Sequence, residues 1–179
     1  MKRMPQLVVA SLFVSLAPLE AATKTLQPPE WIPDSLRVPP GHELFLQALA
    51  LGVQIYDCQA AKGGFEWILR APEALLFNGS AQLFGTHFAG PSWQSLDGSR
   101  VVGARVAGAD APNPKSIPWL LVQAKSHDGS GMFSKVKYIQ RLQTGGGTAP
   151  PADACNKAHS GEEARANYTA AYYFYAETK

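Results

Sequence analysis

The chain predicts a mainly β fold with little helix, an antiparallel β-sandwich or a partly open β-barrel. Short apolar or aromatic runs recur along its length, broken by Gly, Pro, Asn-Gly and Asp-Gly about every dozen residues. The intervals between them are too short and too glycine-rich for the crossover helices that a parallel sheet requires. With 179 residues, 46% of them hydrophobic and 17% charged, the chain has the size and composition of one folded domain. Gly 16 and Pro 14 show no repeating period, which excludes a fibrous or low-complexity chain.

The elements follow in order. Lys2 and Arg3 precede an apolar run from Leu7 to Ala17 and small residues at Ala21 and Ala22, the pattern of a secretory signal peptide over 1–21. That run is too short to span a bilayer as a helix, so no membrane span is expected after the leader. Residues 22–37 form an extended arm rich in proline, with Trp31 and Ile32 placed to pin it to the body, and 38–179 form a single β domain. Glu43 to Leu51 suits a short helix by propensity, but Leu44, Leu46 and Ala48 also alternate. Because VQIYDC at Val53 to Cys58 is strand-like, two strands broken near Gly52 are favoured, with a helix as the alternative.

Phe65, Trp67 and Leu69 share one face of a strand that Pro72 ends, and Leu75 to Phe77 begins another, closed by Asn78–Gly79. Strands over Leu83 to Phe88, Val101 to Val106 and Ile117 to Lys125 follow, with a turn at Asp97–Gly98 and a loop from Ala107 to Lys115. Phe133 to Thr144 pairs with the Ile117 strand and sets Lys135, Lys137 and Arg141 together on a solvated face. Ser160 and Glu163 fit a capping box for a short helix through Arg165, and Tyr168 to Ala176 makes a last strand with aromatics on both faces.

Cys58 and Cys155 are the only cysteines, and in an oxidising compartment such a pair forms a bridge. Without Lys2, Arg3 and Glu20, 14 basic and 13 acidic side chains remain, net +1. That balance offers no footprint for nucleic acid.

These blocks, in this order, resemble a known family. VPPGHELFLQALALGVQIYDC, GTHFAGPSW with DGS, IPWLLVQA, YIQRLQTGGGTAP and the closing YYFY are similar to the exported family of domain of unknown function 3455, DUF3455, found in bacteria and fungi. The resemblance runs from about Leu36 to Tyr175. It implies an exported, mostly β single domain, located in the periplasm or outside the cell, and supplies no substrate, cofactor or catalytic residue.

The most chemically varied stretch is Gly85 to Ser99. His87, Trp93 and Asp97, with Ser95, are the candidates for lining a ligand pocket: imidazole to exchange a proton, indole as an apolar or sugar-stacking wall, carboxylate as an anchor. His87 is equally an ordinary strand residue between Gly85 and Ala89, and Asp97–Gly98 is equally a turn. No G-x-S-x-G elbow is present, and HDGSG at His127 to Gly131 reads as a hairpin turn. No pair among His42, His87, His127 and His159 has metal-ligand spacing, so neither metal nor cofactor is expected. Glu43, Asp57, Glu66 and Glu73 give no sign of acting in pairs. The sequons at Asn78 and Asn167 matter only in an organism that glycosylates exported proteins.

The first functional expectation is therefore a non-catalytic, envelope-associated or secreted binding domain for a small molecule, a glycan or another envelope component. A secreted hydrolase using His87 with a carboxylate is the second. A structural or stress-related surface protein is the third.

Overall fold

A computed structural model describes residues 28–179. The expected leader, 1–21, and the start of the arm lie outside the described residues. Eight antiparallel strands run up and down in chain order and close into a barrel. They are β1 (His42–Ala61), β2 (Gly64–Phe77), β3 (Leu83–Phe88), β4 (Ser92–Ser95), β5 (Arg100–Ala109), β6 (Trp119–Asp128), β7 (Tyr138–Gly146) and β8 (Glu163–Glu177). β8 closes the ring against β1 from His42↔Glu177 to Asp57↔Glu163, so no edge strand is left open. The mainly β expectation holds, and the barrel is closed rather than partly open. Among the described residues no helix is long and apolar enough to cross a membrane.

Several boundaries differ from the sequence reading. β1 is one strand of 20 residues that passes straight through Gly52. A Cβ at Gly52 would stand 2.1 Å from the Glu73 carbonyl oxygen and 2.5 Å from Ala74 Cα. The glycine therefore lets two backbones approach rather than ending a strand. β2 likewise continues through Pro72, which pairs with Gln54. A register shift between Ile55 and Tyr56 leaves Arg70 as the extra residue and re-phases the strand. Leu69, Trp67 and Phe65 then share the face that Ala74 and Leu76 occupy on the other side of the shift.

The capping-box helix at Ser160 is absent. A 3-10 turn spans Lys157–His159, where Asn156 accepts from the Ala158 N–H, and β8 already begins at Glu163. β7 starts only at Tyr138, because Phe133 and Val136 turn inward and fill one end of the barrel.

Small and large residues alternate around the lumen. Ala48, Ala50, Ala74 and Ala170 leave room for Trp93, Tyr168, Tyr172 and Phe174, and all are buried. A second apolar cluster lies on the outer wall, where Trp119, Leu121, Leu142, Ala171 and Tyr173 pack beneath Leu36, with Ile32 and Val38 beside it. The arm thus covers the β5–β8 side. Leu36 is fully buried, and its carbonyl accepts from Gln140 Nε2 at 2.7 Å. Ile32 pins the arm as expected, whereas Trp31 is 68% exposed and does not.

The expected bridge is present. Cys58 and Cys155 are joined, with their Cα atoms 5.4 Å apart. The link fastens the far end of β1 to the 147–162 connection, which also bonds Cys58 through the Glu162 carbonyl and the Gly161 N–H.

Candidate functional site

By the up-and-down order, the β1–β2, β3–β4, β5–β6 and β7–β8 connections share one end of the barrel. A cavity of about 420 Å³ opens there, lined from six of the strands and from the connections at 89–91 and 117–118. Phe84, Phe133 and Val136 pack the lumen toward the other end.

His87 forms the cavity's inner wall. It pairs with Trp93 across β3 and β4, and the two rings stack with centroids 4.4 Å apart. Tyr172 meets His87 edge-on at 5.2 Å and Trp93 at 5.6 Å. His87 Nδ1 lies 2.9 Å from the Ser92 carbonyl oxygen, which can only accept, so the neutral ring carries its proton on Nδ1 and leaves Nε2 bare. Burial holds the imidazole well below its ordinary pKa, to about 3, with the Ser92 bond opposing and the Arg141 charge assisting.

That shift has a consequence for acid stability. The unfolded chain takes up a proton at this position below pH 6.5, and the folded chain only near pH 3. The stability is complete above 6.5 and is lost as pH falls through that window, by about 2 kcal/mol at pH 5. Urea midpoints at pH 7 and pH 5 should show the drop, and His87→Phe should remove most of it. An unchanged slope in that variant would contradict a buried neutral His87.

Gln54 and Tyr56 on β1 form the next part of the wall. The Tyr56 hydroxyl donates to the Gly147 carbonyl at 2.7 Å. Gly147 has φ 82°, and a Cβ there would press on Tyr168 Cβ at 2.7 Å and on Gln54 at 3.2 Å, so the chain passes close to the wall only as glycine. Gln54 is buried, and its Nε2 has no hydrogen-bond partner. The Tyr168 and Tyr172 hydroxyls are also buried without a well-formed hydrogen bond. Burial raises both phenols, so they stay protonated.

Arg141 points into this space. It pairs with Tyr172 on one side and Leu120 on the other, both lumen residues, so the expectation of a solvated face shared with Lys135 and Lys137 is corrected. Its Nε and one Nη donate to the Pro118 carbonyl at 3.2 and 2.9 Å, and no carboxylate pairs with it among the described residues. Its charge reaches the Tyr56, His87, Tyr168 and Tyr172 rings. Arg105 lies at the exposed rim with its guanidinium over Gly108. Arg70, the third arginine on the wall, is engaged by Asp57 and Glu163 on the outside. No Asp or Glu lines the cavity.

Of the residues singled out in the sequence, His87 and Trp93 come together and Asp97 does not join them. Asp97 sits in the β4–β5 turn at the opposite end. There its carboxylate accepts from the Ser99 N–H and hydroxyl and from the Met132 N–H. These bonds hold its pKa down to about 2. Sequence reasoning missed Gln54, Tyr56, Arg105 and Arg141. The available signal was Arg141 alternating with Ile139 opposite a strand of aromatics. Among the described residues no group of His, Cys, Asp and Glu is placed to hold a metal ion.

Residues 39–176 match a family model described as protein of unknown function, DUF3455. No curated protein and no solved structure matches the chain.

Proposed function

The chain belongs to the DUF3455 family of proteins of unknown function, and we propose that it is a non-catalytic binding protein that takes a small organic molecule into the open end of its barrel. The observation that carries this reading is the cavity itself. At about 420 Å³ it falls in the usual size range of ligand pockets, with apolar walls from Leu69, Ile117 and Leu120 and a few convergent polar groups.

Two features favour binding over hydrolysis. His87 Nδ1 is committed to a backbone carbonyl, and no carboxylate lines the cavity to serve as its partner in acid–base chemistry. A small molecule also suits the site better than a glycan, because Trp93 is 1% exposed and offers no open face for a sugar ring. The same reading places the protein in the periplasm or outside the cell, where a bond between Cys58 and Cys155 persists.

The test is a thermal-shift screen of small organic molecules on the native protein and on Ala89→Trp. That substitution lies on the turn at the cavity rim and puts an indole across the opening. Stabilising compounds should bind at least tenfold more weakly to the variant. Compounds that stabilise both proteins equally would place binding elsewhere and contradict the proposal.

A further inference from the structure

Arginine donors dominate the polar groups at the cavity, beside the bare Nε2 of His87 as an acceptor. Arg141 has five N–H donors, spends two on the Pro118 carbonyl and has the Tyr172 hydroxyl beside it, so at least two remain. Gln54, 1% exposed, holds an amide nitrogen with no partner. Arg105 at the rim has no ion pair among the described residues. None of these is matched by an acceptor of opposite charge, because no carboxylate lines the space. His87 adds no charge near neutrality, so the positive character comes from the Arg141 and Arg105 guanidinium groups.

A partly buried arginine is ordinarily paired, since removing its charge from water is costly without a counter-charge. Arg141 has only neutral partners in that role, the Pro118 carbonyl and the Tyr172 hydroxyl, and the orphaned Gln54 donor is buried in the same wall. A ligand that suits this wall is rich in acceptor oxygens and negatively charged. The remaining wall is apolar, and the deeper void between Trp93, Val122 and Tyr172, about 30 Å³, has room for little more than a water molecule. A ligand's body must lie in the outer cavity, against Ile117 and Leu120.

We propose that the barrel mouth binds a small organic anion, a carboxylate or a phosphate ester with an apolar body, whose oxygens are held by Arg141 with Arg105 at the rim. This rests on the reading of the cavity as a ligand site and names the class of ligand.

Calorimetric titration of the native protein with cinnamate and with cinnamamide compares the charge at nearly constant shape. Cinnamate should bind at least tenfold more tightly, as expected when charge-assisted hydrogen bonds replace neutral ones. Phenyl phosphate in place of cinnamate distinguishes a phosphate head group from a carboxylate, and inorganic phosphate alone should bind weakly. Arg141→Gln should erase the preference for acid over amide. Arg105→Gln, at an exposed position that leaves the lumen intact, should weaken the anion a few-fold and leave the amide unchanged.

Equal binding of acid and amide, or a preference that survives in Arg141→Gln, would overturn the inference. So would the absence of binding by both anions. If equal binding is lost in Ala89→Trp, the cavity reading stands and only the anion assignment falls. If Ala89→Trp changes nothing, both fall.

Discussion

Trp93→Ala should destabilise the protein by about 3–5 kcal/mol, the usual cost of deleting a large buried aromatic. Trp93 is fully enclosed in the lumen, stacked on His87 at 4.4 Å and edge-on to Tyr172 and Phe174 at 5.6 and 6.4 Å. Gly103 is part of the same fit, since a Cβ there would lie 3.2 Å from the indole and 2.4 Å from Val122. Deleting the indole leaves a void that a closed barrel cannot collapse into, because each strand is held by hydrogen bonds on both sides. Urea unfolding at pH 7 should show a lower midpoint with an unchanged slope. Trp93→Phe should recover much of the loss, since a ring still fills part of the space. A cost below about 1 kcal/mol for the alanine variant would mean that the lumen relaxes freely, against the close packing expected of protein interiors.

Removing the disulfide should have a comparable effect. The bridge closes a loop with a sequence separation of 97, for which the chain-entropy account gives about 4–5 kcal/mol and removal of native bridges about 2–5 kcal/mol. Part of the loss should be local. Without the link, the 147–162 connection is held by the Glu162 and Gly161 backbone bonds to Cys58 and by Trp67 Nε1 donating to the Pro151 carbonyl at 3.3 Å. The double variant Cys58→Ala with Cys155→Ala should therefore unfold at lower urea and show faster amide exchange in 148–161 than elsewhere. Matching midpoints for oxidised and reduced protein would contradict the assignment of stability to the bridge.

The parts of the fold legible in the sequence are those set by local chemistry. Asn78 shows it well: its side-chain oxygen accepts from the Ser80 and Gln82 N–H groups and closes the β2–β3 connection where the Asn-Gly pair placed a turn, although the positive φ falls at Ala81 rather than at Gly79. Asp97 does the same for the β4–β5 turn. Gly52 shows where local reading fails, because a strand break and a close backbone approach both call for glycine. The inward alternation of Ala48 and Ala50 in fact continues past it to Gln54 and Tyr56. Distinguishing the two meanings requires knowing that Ala74 lies opposite.

The candidate site was less legible for the same reason. His87 and Trp93 lie six residues apart in one hairpin, so proximity in sequence brought them together. Arg141 gains its meaning from Tyr172 and Leu120, residues supplied by two other strands. Read alone, a cation alternating with Lys135 and Lys137 belongs to a solvated face. Barrel closure turns it inward, and closure pairs residues from opposite ends of the chain that no local pattern specifies.

The most direct measurement is a crystal structure of the protein with cinnamate. The carboxylate should lie within hydrogen-bond distance of the Arg141 guanidinium, with the phenyl ring against Ile117 and Leu120. A carboxylate turned to solvent with Arg141 still bonded only to Pro118, or a cinnamate bound away from the barrel mouth, would contradict it.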